Sequence, residues 1–376
     1  MQMNRRHFLA LIGAATTAAC SGAAPSGGGG TAPDLIPRPT PAFTRWLADF
    51  RPRARNAGIS AATLDAALAQ AGYIPGVVSR DRNQIQTRRT LEDYLSIAVS
   101  DDRVAKGRAA YTRNGATLRA IEARYGVDAH VIAAIWGVES QYGELRGDIP
   151  VISSTATLAF DGRRANLFEA QLIAALRILQ TGDTTPDRLV GSWAGAMGHT
   201  QFIPTSYQSF AVDFTGDGRR DIWGDDPSDA LASTASYLQR NGWRQGLAWG
   251  SEAGTGGPGG RTVQPQAGGV AFAVTRNFNV LKTYNNSDFY AIGVGHLSDR
   301  ILGGGPLQGT FPPDANGLTK ADRIALQRGL SAQGYDVGTP DGVIGRKTEA
   351  AIRAFQARRG LPVTGVATPA LLAALG

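Results

Sequence analysis

The chain has 376 residues, 43% apolar and 18% charged, so it can bury a core and is too apolar to be intrinsically disordered. A single Cys excludes an internal disulfide framework and any multi-cysteine zinc site, and four scattered His exclude an imidazole-rich centre. The formal charge of +7 is compatible with nucleic acid, an anionic membrane or an acidic polymer, and does not choose among them.

The first twenty residues read as an address. Arg5-Arg6 precede an apolar run from Phe8 to Ala19 that ends in Ala18-Ala19-Cys20, the order of a secretory signal. As a helix this run covers about 18 Å, well short of a hydrocarbon core of about 30 Å, so it is no stable transmembrane anchor. Arg5-Arg6-His7-Phe8-Leu9 resembles a twin-arginine signal, with Asn4 where Ser or Thr is usual. Thr17-Ala18-Ala19-Cys20 resembles a bacterial lipobox, with Thr17 where Leu is usual. Residues 1–19 are therefore expected to be a signal peptide, with Cys20 the lipidation point. Residues 20–41, rich in Gly, Ser and Pro, are expected to be a flexible tether.

From Pro41 the pattern turns helical. Phe43, Trp46, Leu47 and Phe50 recur at three- and four-residue spacing, as do Leu64, Ala67, Leu68 and Ala71. Helical patterns continue to about residue 240, and β-like alternation is weak throughout. Asp128 to Gly143 is the most informative segment, with Asp128 as a candidate N-cap and Gly143 as a candidate stop. At 100° per residue Glu139 lies about 20° from Ile132 and about 40° from Ile135, so its carboxylate continues an apolar stripe. Desolvation and the negative end of the helix dipole both disfavour its ionisation, as a proton donor near neutrality requires. A Glu paired with an Arg across a helix interface has the same pattern. A second block, Gly191 to Tyr207, sets Ser192 and Gln201 among small and apolar residues, which suits either a groove floor or tight helix packing.

Further along, Asp213-Phe-Thr215-Gly-Asp217-Gly has the first half of a calcium loop, but position 12 is Gly224 rather than Glu. An Asp/Gly-rich turn without metal is the alternative. Residues 250–269 are Gly-rich and read as an exposed insertion. A Gly/Pro break at 304–316 precedes a last unit, 317–376.

Taken together, Gly-Val-Glu139-Ser, Asp161-Gly-Arg163-Arg164, Gly191-Ser-x-Ala-Gly-Ala-Met197-Gly-x-x-Gln201-Phe-x-Pro-x-Ser-Tyr207, Ala211-Val-Asp213-Phe-Thr-Gly-Asp217-Gly and Tyr284-Asn285-Asn-Ser-Asp-Phe-Tyr290-Ala resemble the membrane-bound B-type lytic murein transglycosylases. The likeness spans roughly residues 43–303, with the motifs in order. It implies a mainly α fold, an α+β lysozyme-like catalytic domain over 42–303, that cuts the MurNAc–GlcNAc bond of peptidoglycan and leaves a 1,6-anhydro-MurNAc end. Glu139 would be the single acid/base, with Ser192, Met197, Gln201, Tyr284, Asn285 and Tyr290 around the groove. Arg163 and Arg164 match a paired Arg that meets peptide carboxylates; a solvated surface pair is the alternative. The related calcium loop takes a later Asp, here Asp229, so Asp213, Thr215, Asp217 and Asp229 are the candidate ligands of a structural Ca2+, and no cofactor is required for the chemistry.

Leu318 to Leu375 resembles the type 1 peptidoglycan-binding domain through Ile324-x-x-Leu-Gln327, Tyr335, Asp341-Gly-Val-Ile-Gly345-x-x-Thr348 and Ala351-Ile-x-x-Phe355-Gln356. It implies a small three-helix module that holds the wall. The expected partners are peptidoglycan glycan strands, with the membrane reached only through a lipid anchor and no nucleic acid. The expected state is a periplasmic monomer anchored to the outer membrane as a lipoprotein. Two rivals stand beside this reading: a water-using muramidase with a second carboxylate from the Asp161 or Asp221–Asp229 regions, and a non-catalytic wall-binding protein.

Overall fold

The computed structural model describes residues 32–83 and 90–376. The expected signal peptide and Cys20 lie outside the described residues, as does the first part of the expected tether. The described chain falls into two compact units.

The first unit holds residues 32–83, 101–249 and 276–305. Its first ten residues are not loose chain, contrary to the tether expectation. Pro33–Leu35 form a 3-10 turn, and Arg38 and Tyr73 exchange backbone hydrogen bonds of 3.0 and 2.8 Å. Proline-fixed extended backbone pairs readily at an edge, and Gly72 leaves room for it: a Cβ there would meet Pro37 and Arg38. Helices α1 (Pro41–Asn56), α2 (Ala61–Leu68) and α3 (Pro75–Arg82) follow, the first two opened by the side chains of Thr40 and Ser60.

The second unit opens with α4 (Leu91–Ala98), and the chain then returns to the first for α5 (Asp101–Arg113), α6 (Gly115–Tyr125) and α7 (Ala129–Ser140). Helix α7 is apolar on nearly every side, and ten of its residues are buried, the composition of a helix inside a core. Asp128 stands at its N-cap position without capping it. Its carboxylate instead accepts the Trp243 indole N–H at 2.8 Å and Gly246 N–H at 3.0 Å. The helix ends before the expected stop, because Gln141 and Tyr142 turn left-handed ahead of Gly143.

A two-stranded pair, β1 (Ile149–Pro150) and β2 (Val190–Gly191), brackets the hairpin of α8 (Val151–Asp161) and α9 (Ala165–Thr181). Helices α10 (Pro204–Phe210), α11 (Ser228–Arg240), α12 (Arg276–Tyr284) and α13 (Asp288–Ile301) complete the unit. Around α7 are packed α5, α6, α11 and α13, so its last turn is reached by side chains from several elements.

The second unit holds residues 90–100, 250–275 and 306–376. The Gly-rich 250–269 segment, expected to be an exposed insertion, contributes strands to a small antiparallel sheet. Strands β3 (Gly250–Glu252), β4 (Arg261–Val263) and β5 (Phe272–Val274) pair in the order β3-β5-β4. Each strand has three residues, too few for alternation to show in the sequence. Helices α14 (Lys320–Ala332), α15 (Arg346–Arg358) and α16 (Pro369–Ala373) surround a core of Leu326, Leu330, Ile352, Phe355 and Leu371. The same bond occurs twice. Gln327 accepts Gly342 N–H at 2.7 Å, and Gln356 accepts Gly365 N–H at 2.9 Å. Arg323, 3% exposed, bonds Gly342 O, Leu318 O and Asp314, and pairs with Asp93 beside the N-cap of α4. That pair joins the helical module to a segment more than 200 residues earlier.

Candidate active site

Glu139 lies in the last turn of α7, 7% exposed. Its Oε1 accepts the Tyr290 hydroxyl at 2.7 Å. Tyr290 is held in the first turn of α13, which Ser287 caps. Its ring lies parallel to that of Tyr284, 6.3 Å away, and the Tyr284 hydroxyl donates to Thr200 O at 2.7 Å. Burial pushes the Glu139 carboxyl up to about 7, against the Tyr290 hydrogen bond and the Arg103 charge. A carboxyl group poised there has both its protonated and its ionised form available at neutral pH.

The cleft in front of it is lined by Glu139, Gln201, Phe202, Ile203, Ser206, Tyr237, Tyr284 and Asn285. Among the described residues that line it, Glu139 alone carries a carboxylate. Glu144 is drawn off to Lys106 at 2.8 Å and Asp161 to Arg82 at 2.5 Å. Phe202, Ile203 and Ser206 fall inside the second sequence block without standing out in it. Tyr237 comes from α11 with no motif to mark it; its place depends on packing against Tyr284, 5.0 Å between ring centroids.

The other expected groove residues are distributed differently. Ser192 turns on its own loop, its Oγ accepting Ala196 N–H at 3.1 Å. Met197 is fully buried and bridges Gly191 and Phe202 through its backbone. Neither lines the cleft. Arg163 and Arg164 both pair with Asp81, which is 2% exposed. A carboxylate so deeply buried needs compensating charge, which the two guanidiniums supply; Arg164 is largely buried there, while Arg163 keeps 46% of its side chain exposed.

Every described non-glycine residue with positive φ lies beside this site: Gln141 at 51°, Tyr142 at 60° and Gln201 at 55°. Each costs on the order of 1–3 kcal/mol unless its surroundings hold it. Tyr142 is held by a hydrogen bond to Arg103 O at 3.0 Å. Its ring fills the space that Gly107 and Gly137 leave, since a Cβ on either would overlap it.

The acidic loop gathers one oxygen each from Asp213, Asp217 and Asp229 within 4.8 Å of one another, and Thr215 Oγ1 lies 3.3 Å from Asp213. These are the hard oxygen donors a calcium ion takes. Both Asp229 oxygens receive backbone N–H groups, from Phe214, Thr215 and Asp221, which fixes the loop's shape. Arg220, a cation within the same loop, is turned onto Asp183 at 2.6 Å.

With this geometry in place, comparison defines the class. Residues 42–264 and 257–299 match the family described as Transglycosylase SLT domain, and residues 319–375 match the putative peptidoglycan binding domain. The chain belongs to the Transglycosylase SLT domain family, with a peptidoglycan-binding type module at its C-terminal end. It is 37% identical over 154 residues to the membrane-bound lytic murein transglycosylase B of Escherichia coli K12, covering 41% of this chain and 42% of that relative. The aligned region is thus less than half of that protein. The crystal structure of SltB3 from Pseudomonas aeruginosa in complex with NAG-anhNAM-pentapeptide is 43% identical with a TM-score of 0.70, covering 89% of this chain and all of that one. Escherichia coli Slt35 in complex with calcium is 26% identical with a TM-score of 0.58, covering 72% and 97%.

Proposed function

We propose that this chain is a lytic transglycosylase that cleaves the β-1,4 MurNAc–GlcNAc bond of peptidoglycan, with Glu139 as its one acid/base. The observation that carries the reading is a single buried carboxylate, poised near pH 7, in a cleft with no second one among the described residues that line it. Glycosidases that use water or a covalent intermediate flank the bond with two carboxyl groups. With one, the substrate supplies the nucleophile. Glu139 gives its proton to the glycosidic oxygen as the bond from C1 breaks. The MurNAc C6 hydroxyl oxygen then bonds to C1 and returns its proton to Glu139. No water is consumed, and the product carries a 1,6-anhydro ring. Tyr290 steadies Glu139 Oε1, Asn285 presents its amide to the sugar, and Gln201 presents its amide oxygen, its Nε2 being held by Arg146 O and Gly198 O.

The acidic loop would hold a structural calcium ion through Asp213, Thr215, Asp217 and Asp229, outside the chemical steps. The C-terminal module would keep the enzyme on the wall. The signal and Cys20 support a periplasmic lipoprotein, and among the described residues no helix is long and apolar enough to cross a membrane. Glu139→Gln keeps the shape and removes the proton. It is expected to lower turnover of purified sacculi by at least about 10³-fold while sacculus binding stays unchanged. Undiminished lysis would end this reading.

A further inference from the structure

One residue joins the helix of Glu139 to the loop of Gln201. His199 is buried, and its Nδ1 lies 3.1 Å from the Trp136 indole nitrogen. An indole N–H only donates, so Nδ1 accepts. The remaining proton of the neutral ring is then on Nε2, which donates to Gly224 O at 2.7 Å. Arg146 Nη1 donates to the same carbonyl at 2.6 Å, so its 3.3 Å approach to Nε2 is a contact between two donors around one acceptor. Burial and the Arg146 charge push the imidazole pKa below its ordinary value, against the Gly224 bond and the Asp221 and Asp225 charges.

The backbone of His199 is engaged as well. Its carbonyl accepts Ser140 Oγ–H at 2.5 Å, and its N–H donates to Ile222 O at 3.1 Å. Ser140 Oγ in turn accepts Gly143 N–H at 3.0 Å. Gly143, at φ 90°, leaves space for the imidazole; a Cβ there would come within 2.5 Å of Nδ1. His199 thus grips α7 three residues before Glu139 and one residue after it. Two residues on stands the strained Gln201, whose Nε2 donates to Arg146 O at 3.1 Å and Gly198 O at 2.9 Å.

We propose that His199 is a positioning residue for the transglycosylase reaction: its ring sets the Glu139 end of α7 against the Gln201 loop. The inference rests on Glu139 as the acid/base. Displacing a reacting group by about 1 Å costs on the order of 10²-fold in rate.

The test is a set of three variants in the full chain. His199→Asn puts an amide oxygen where Nδ1 lies and keeps the Trp136 bond. His199→Gln puts an amide N–H where Nε2 lies and keeps the Gly224 bond. His199→Phe keeps a ring with neither. On purified sacculi, His199→Phe is expected to lose ten- to a hundredfold in kcat with KM changed less than about twofold. His199→Asn is expected to recover most of that loss and His199→Gln little, because the Trp136 bond is the one on α7. The order of kcat is expected not to follow the order of Tm. Wild-type kcat in His199→Phe, a rise in KM alone, or Asn and Gln variants that lose kcat in step with Tm would overturn the proposal. Should Glu139→Gln remain active, the acid/base reading itself fails. An inactive Glu139→Gln beside an undiminished His199→Phe removes His199 alone.

Discussion

A carboxyl group that titrates near pH 7 is half protonated at neutrality, and Glu139 is in this state because its environment removes water. The donor form is lost as pH rises through that value, so kcat/KM is expected to fall about tenfold per pH unit on the alkaline side. Tyr290 donates to the ionised form and opposes the upward shift. In Tyr290→Phe the alkaline limb is therefore expected to move to higher pH; an unchanged or lowered limb in a pH–rate profile would contradict the assignment. The same shift costs stability. The folded value of about 7 exceeds the ordinary 4.5, so stability falls as pH rises from about 4.5 to 7 and stays low above it, by about 3 kcal/mol at most. Glu139→Gln removes that penalty. Its Tm is expected to rise at pH 8 and hardly to change at pH 4, which pH-resolved thermal unfolding measures. Much of this was legible in the sequence, since helical periodicity alone sets Glu139 on the buried stripe. Its bond to Tyr290, 151 residues away, was not, because no local pattern encodes a contact made by packing.

Among elements, the motif-bearing helices were readable and the connections between them were not. Helix α7 follows from its apolar stripe, yet its end is set by Tyr142. That side chain holds a left-handed backbone only because Gly107 and Gly137 admit its ring. The sheet β3-β5-β4 escaped because three-residue strands carry no period. Arg163 and Arg164 matched a motif, but the sequence could not show that Asp81 takes both. Arg323 is the clearest case of a residue whose importance only folding reveals. Removing it leaves Asp93 and Asp314 without their cation, so Arg323→Ala is expected to destabilise the second unit by about 3–5 kcal/mol. Limited proteolysis is expected to cut this variant first within 306–376; wild-type resistance would contradict the assigned role.

At the scale of the molecule, composition offered a +7 chain with clustered glycine and no means of choosing a partner. The two family matches bear on that choice, and the reading we propose takes the bacterial wall as the partner. The acidic loop gives an independent check. Calcium at about 100 times its Kd is expected to add about 2.7 kcal/mol, read as a raised Tm that a chelator reverses and that Asp217→Ala abolishes. No shift in the parent protein would remove the metal from the account.

The central claim is that one carboxylate suffices because the sugar attacks itself. Mass analysis of the ends released from purified sacculi tests it most directly. The account predicts 1,6-anhydro-MurNAc ends, about 18 Da lighter than hydrolytic ones, from the parent enzyme and none from Glu139→Gln. Reducing MurNAc ends as the main product would show that water is the nucleophile and contradict it.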